Sequence, residues 1–167
     1  DEQARYIQAT IFAPKPITVG CIYLPNGNPA PGPKYDYKLA WMQRLRIHAQ
    51  QLMLSEERVI LLGDYNVIPS PSDARHPDNW KTDALFLPQS RGAFATMKHD
   101  GWQDAFRSLN PLRKDAFSFW DYQAGAWQKN NGIRIDHLLV TPQAADDLES
   151  AGFDKHVRGW DKPSDHV

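Results

Sequence analysis

A chain of 167 residues with 41% apolar and 23% charged residues has the material for one buried core, which excludes a disordered tract and predicts a single domain. Nineteen Lys and Arg against twenty Asp and Glu give a net charge of −1, so an overall electrostatic attraction to nucleic acid is excluded and only a local basic face could serve that purpose. The single cysteine, Cys21, excludes an internal disulfide, and no apolar run approaches the roughly 20 residues needed to cross a bilayer, so a cytoplasmic protein with no membrane partner is expected.

Residues 5–12 and 17–24 are rich in β-branched and aromatic side chains, and Pro14-Lys15-Pro16 between them supplies a turn, which predicts two neighbouring strands. Cys21 falls in the apolar run of the second and is expected there as a buried, unreactive thiol. From Tyr37 to Leu54, Trp41, Leu45, His48 and Leu52 recur at helical spacing, with Met42, Ala49 and Met53 beside them. An amphipathic helix follows, with His48 in the core and Lys34, Lys38 and Arg44 on its solvated side.

Arg58 to Leu62 is apolar without alternation, which predicts a strand covered on both faces and ending in Gly63-Asp64. A long polar loop runs through Pro69, Pro71 and Pro77. Helices are predicted over 88–98 and 104–109, strands over 117–122 and 133–141, and a short helix over 142–150 that opens with proline. Alternating strands and helices without repeats imply a layered α/β domain.

Metal-assisted hydrolysis of a phosphodiester needs hard oxygen ligands, a base for the attacking water and groups that stabilise charge on the phosphoryl oxygens. Asp64 and Asn66 follow an apolar strand and would point into one site if the chain stayed extended, although Gly-Asp-x-Asn by itself reads as turn chemistry. Asp136 interrupts the strand-like Ile133-Arg134-Ile135-Asp136-His137-Leu138-Leu139-Val140. A carboxylate there is costly unless paired or exposed. Two readings stay open for that segment: a structural ion pair of Arg134 with a carboxylate, and an Asp136 that orients a histidine. Asp165-His166 follows Lys162-Pro163-Ser164 at a loop tip, and alone it is a weak signal.

In order and spacing, Ile22-Tyr23-Leu24-Pro25-Asn26-Gly27, Leu62-Gly63-Asp64-Tyr65-Asn66, Gly132-Ile133-Arg134-Ile135-Asp136-His137 and Pro163-Ser164-Asp165-His166 resemble the endonuclease/exonuclease/phosphatase superfamily. Within it they are similar to the exonuclease III group of abasic-site endonucleases, and Phe117-Ser118-Phe119-Trp120-Asp121-Tyr122 extends the match. The resemblance implies a four-layer α-β-β-α sandwich of the DNase I-like kind, with residues 1–167 forming one partial domain that lacks the first strands and the last. It also implies a DNA-repair phosphodiesterase that cuts 5′ to abasic sites and acts as 3′–5′ exonuclease and 3′-phosphatase. Such an enzyme would be a monomer working on double-stranded DNA with abasic sites or 3′ ends, with Mg2+ as cofactor or Mn2+ in its place.

Residue by residue, the same resemblance implies that Tyr23 hydrogen-bonds the scissile phosphate and Asp64 activates the water or assists the leaving oxygen. Asn66 would orient groups at the phosphate, Asp136 would hold His166 in the required tautomer, and Asp165 with Asp64 would bind the metal. Phe119, Trp120, Ile133 and Ile135 match positions that shape a pocket for a flipped-out abasic sugar, with Trp120 the preferred candidate and ordinary core packing the alternative for all four. Family members also carry an N-terminal Asn and a metal-binding Glu that have no counterpart within 1–167, so weak activity is expected of this stretch alone. The rival functions are a phosphatase or phosphodiesterase for inositol or sphingolipid head groups, and a non-catalytic DNA-binding module.

Overall fold

Tyr6–Ile11 (β1) and Ile17–Tyr23 (β2) pair antiparallel, with Ile7 opposite Cys21 and Ile11 opposite Ile17, in a computed structural model that describes residues 3–12 and 14–167. Val59–Asp64 (β3) runs parallel to β2, and Asp136–Val140 (β5) runs antiparallel to β3. The two-residue Gln103–Asp104 (β4) closes a five-stranded sheet of order β1-β2-β3-β5-β4. The parallel step between β2 and β3 needs a crossover, and Pro33–Leu54 (α1) supplies it.

Helix α1 and Pro88–His99 (α2) pack on one face of this sheet, where Ile22, Val59, Leu61 and Leu139 meet Met42, Leu45, Ala49, Phe94 and Met97. Ala105–Leu109 (α3), whose N-cap Asp104 accepts from the Arg107 amide, and Pro142–Ala145 (α4) lie along the β5 side. The opposite face carries Ile7, Ile11, Cys21, Tyr23 and Leu138, all exposed. No helix among the described residues is long and apolar enough to cross a membrane.

Several expectations change. Cys21 is exposed, because the helices cover the face of β2 that bears Gly20 and Ile22 rather than its apolar run at Val19 and Cys21. β3 is packed tightly on one face only, with Val59 and Leu61 buried and Ile60 and Leu62 half-buried. Helix α1 starts at Pro33 and buries Tyr35, Lys38, Met42, Leu45 and Ala49, so its inner stripe is rotated from the expected Trp41-Leu45-His48-Leu52 series. His48 is half-buried at the rim, with its Nε2 3.0 Å from the Tyr6 hydroxyl. The expected strand over 117–122 is reduced to isolated bridges of Phe119 with Ile133 and His166, and the helix after Pro142 ends at Ala145.

Below the 133–135 segment, Arg134 is 1% exposed and donates from Nε to Asp73 at 2.7 Å and from Nη1 to Asp104 at 2.9 Å. Arg107 reaches the same Asp73 oxygen at 2.5 Å. Burial alone would raise the Asp73 pKa, but the two guanidinium groups outweigh it and hold it down at about 2. The structural ion pair considered for Arg134 is therefore present, and it joins the loop after β3, the start of α3 and the segment leading into β5.

Candidate active site

The register of the sheet aligns Tyr23 with Asp64 and Asp64 with Asp136, so three residues far apart in sequence form one row across β2, β3 and β5. The row stands at the end of β2 and β3, where the chain leaves the sheet. Gly63 makes the bend before Asp64 possible: its φ is 128°, and a Cβ there would come 2.2 Å from the Ile22 carbonyl oxygen.

Beyond β3 the chain does not stay extended. Asn66 adopts φ 48° and folds back, its amide donating to Asp64 Oδ1 at 2.8 Å and its side-chain Nδ2 to Asp64 Oδ2 at 2.8 Å. Turn chemistry and site chemistry are here the same arrangement. The Asn66 Nδ2 also donates to the Leu24 carbonyl at 2.8 Å, and its Oδ1 accepts from Asn26 at 3.2 Å. Both Asn66 side-chain donors are thereby used inside the protein, so Asn66 acts on Asp64 rather than reaching outward.

His166 comes from the far end of the chain, and its Nδ1 lies 2.8 Å from Asp136 Oδ2. Phe119 bridges to His166 through the backbone and packs its ring edge-on at 5.0 Å. Burial disfavours the imidazolium, yet the hydrogen bond and charge of Asp136, with Asp64 and Asp165 beyond, outweigh it and raise the His166 pKa. Desolvation, reinforced by the charge of Asp136, pushes the Asp64 carboxyl up to about 6.

These groups border a cleft of about 250 Å³. Tyr23, Asp64, Asn66 and His166 line it, and Phe119, Ile133 and Ile135 form an apolar wall. Trp120 does not: it is fully buried against Phe117, Ala126 and Trp127, its indole donating to Asn130 at 3.3 Å, while its backbone amide donates to the Asp165 carbonyl at 2.9 Å. The expectation of Trp120 as the preferred pocket residue is corrected: it takes the core-packing alternative, and Phe119, Ile133 and Ile135 are the candidates that face the cleft. Asp136 lies behind His166, and Asp165 is absent from the lining.

Asn26, Asn28, Trp80, Asp83, Leu85 and Asp121 also line the cleft and were not singled out in the sequence. Asn26 and Asp121 lie inside motifs that were; the others occupy loops, where only proximity to the motifs offered a signal. Lys38, expected on the solvated side of α1, is fully buried and donates to the Asn66 carbonyl at 2.5 Å.

A divalent cation fits this set of donors incompletely. No group of three His, Cys, Asp or Glu side chains among the described residues is disposed to hold a metal, and both Asp64 oxygens already accept from Asn66. Two carboxylates such as Asp64 and Asp165 would leave most of a divalent cation's coordination positions to other ligands.

The raised Asp64 pKa has a measurable counterpart in His137, which is buried, donates from Nε2 to the Val67 carbonyl at 2.8 Å, and is held down at about 4 mainly by desolvation. Between pH 6.5 and 4 the unfolded chain binds a proton that folded His137 does not, so this group's stabilisation is full above 6.5 and is lost as pH falls. Asp64 has the opposite sign: its folded form takes up a proton near pH 6 that the unfolded form refuses until about 3.8, so falling pH relieves its cost. The two oppose one another in wild type. Asp64→Asn should expose the His137 slope, a loss of about 3 kcal/mol between pH 6.5 and 4 in urea titrations. A variant curve as flat as the wild-type curve would show that His137 is not held neutral.

Comparison with known proteins gives a consistent assignment. The profile of the Endonuclease/Exonuclease/phosphatase family matches residues 2–166. The chain is 31% identical to exodeoxyribonuclease III of Haemophilus influenzae over 177 aligned residues, covering 100% of this chain and 66% of that protein. An AP endonuclease of Archaeoglobus fulgidus superposes with a TM-score of 0.90 at 33% identity, covering 97% of this chain and 62% of that one. A 3′ phosphatase from Neisseria, solved with a product DNA hairpin, superposes with a TM-score of 0.92 at 30% identity, covering 99% and 63%. The chain thus spans somewhat less than two thirds of the length of these relatives, and the superpositions carry the DNase I-like α/β architecture expected from its motifs. By profile, sequence identity and fold, the chain belongs to the endonuclease/exonuclease/phosphatase family.

Proposed function

We infer that the full-length protein is a DNA-repair phosphodiesterase of the exonuclease III kind, cutting 5′ to abasic sites and removing nucleotides or phosphate from 3′ ends. The observation that carries this reading is the juxtaposition, in one cleft, of the Tyr23–Asp64 row and His166 with the apolar wall of Phe119, Ile133 and Ile135. The first group suits a phosphoryl centre. The wall suits a bare deoxyribose better than a charged head group, and a sugar without its base costs little to flip out of a duplex. The relatives named for DNA substrates support the same reading.

In this reading Asp64, poised near neutrality, takes the proton of the attacking water or assists the leaving oxygen. Tyr23 donates its hydroxyl to a phosphoryl oxygen. His166, oriented by Asp136, which also raises its pKa, stabilises the charge that develops on the phosphoryl oxygens. Asn66 fixes the Asp64 carboxylate through both oxygens. Mg2+, or Mn2+ in its place, would supply Lewis-acid stabilisation with Asp64 and Asp165 as candidate ligands and further ligands from outside the described residues. Low activity is accordingly proposed for the isolated 167-residue stretch, and a monomeric cytoplasmic enzyme for the full-length protein.

Turnover by the full-length protein should be compared on a duplex with one abasic site, a duplex with a 3′-phosphate end and an inositol phosphate. Cleavage of the DNA substrates with little turnover of the inositol phosphate is expected. Turnover of the head-group substrate alone would sink the DNA reading.

A further inference from the structure

Lys38 projects from α1 under the two loops that form one side of the cleft. It is 0% exposed, and its ammonium donates to the carbonyl oxygen of Asn66 at 2.5 Å and to that of Asn26 at 3.0 Å. The side chains of those two residues meet at 3.2 Å on the cleft wall. Asn26 in turn accepts from the Asn28 amide at 3.1 Å, and the Asn28 side chain donates to Asp83 and accepts from the Ala84 amide, each at 3.0 Å. One buried nitrogen therefore sits at the root of a polar network that joins three loops.

Gly27 shows how closely the lysine stem is fitted. Its φ is 93°, and a Cβ would fall 2.6 Å from Lys38 Cδ. The ammonium is held by two backbone carbonyls and not by a buried ion pair. Among the described residues no carboxylate is within ion-pair distance of it, and burial drives its pKa down to about 7 against the charges of Asp64 and Asp83; an apolar side chain of equal length would escape that desolvation cost, which offsets part of the loss from leaving the Asn26 and Asn66 carbonyls without this donor.

We propose that Lys38 is a positioning residue for the cleavage reaction: its ammonium fastens the Asn26 and Asn66 backbones together and so fixes the Asp64 carboxylate that Asn66 holds. The proposal rests on the hydrolytic reading above. Lys38 touches neither substrate nor reacting atoms. It acts through Asn66, whose amide and side chain are the two donors to Asp64, and a displacement of about 1 Å at such a carboxylate is enough to cost roughly 100-fold in rate.

The test is Lys38→Met in the full-length protein, read by steady-state kinetics on the abasic and 3′-phosphate duplexes, by melting temperature and by hydrogen exchange at the Asn28 and Asn66 amides. Expected are a kcat lower by about 100-fold with KM within about 3-fold of wild type, and a melting temperature within about 5 °C. Exchange at both amides should be faster by about tenfold or more. A folded variant with wild-type kcat, or with unchanged exchange, would overturn the proposal. Should Lys38→Met not fold, Lys38→Gln takes its place with the same readings. If neither folds, the ammonium is a structural requirement and the positioning role is wrong. If wild type cleaves none of the DNA substrates, the functional reading fails, and the exchange rates still decide whether the ammonium fastens these loops.

Discussion

Asp64→Asn in the full-length protein is expected to lower kcat about 1,000-fold on an abasic duplex, with KM changed far less. The substitution keeps the volume and one acceptor, so Asn66 can still donate its amide to the side chain. It removes the negative charge and the base, and it sets two NH2 groups against each other where Asn66 Nδ2 now donates to Asp64 Oδ2. Stability should move the other way or not at all. The wild-type carboxylate is desolvated and faces Asp136, which is why its pKa is pushed up to about 6, and a neutral amide escapes both penalties. Loss of turnover together with an unchanged or higher melting temperature is thus the signature of a group held in place for chemistry. A variant that turns over at the wild-type rate would remove Asp64 from the reaction.

The site was legible in the sequence as a set of residue types, and the sheet register supplied what the sequence could not. Tyr23, Asp64 and Asp136 occur in three separate motifs, and nothing in their spacing states that they share one cross-strand row. The resemblance to known enzymes gave their order and company. Where reasoning relied on hydrophobic pattern alone it was less secure. In β2 the apolar positions Val19 and Cys21 pointed to one buried face, but α1 and α2 cover the other, where Gly20 admits the Tyr6 side chain. In α1 a lysine occupies the inner stripe beside Met42 and Leu45, and a period-based reading discards a charged residue from the core by rule. Lys38 is the exception because backbone carbonyls, which leave no trace in sequence, are its partners. The preference for Trp120 among the four pocket candidates failed for a related reason: adjacent residues point to opposite sides, and which side holds the cleft is decided by the bridge of Phe119 to Ile133 and His166.

Arg134 offers the second large effect, and it links stability to the cleft wall. Arg134→Ala leaves Asp73 and Asp104, which are 1% and 3% exposed, without their shared guanidinium, and removing one partner from a buried ionic cluster typically costs about 3–5 kcal/mol. For a chain of this size that corresponds to a melting temperature lower by about 10 °C. Arg107 retains its contact with Asp73 and softens the loss there, but Asp104 has no second guanidinium and is also the N-cap of α3, so α3 should loosen first. The backbone amide of Arg134 donates to the Asp73 carbonyl at 2.8 Å, and its neighbours Ile133 and Ile135 form the apolar wall. The wall should therefore shift with the cluster, raising KM for an abasic duplex more than it lowers kcat, the reverse of the Asp64→Asn pattern. A thermal melt and a kinetic titration on the same preparation separate the outcomes. A melting temperature within about 2 °C of wild type would mean that hydration replaces the guanidinium, and that apolar packing around Ile68, Leu85 and Phe86 holds Ile133 and Ile135 in place without it.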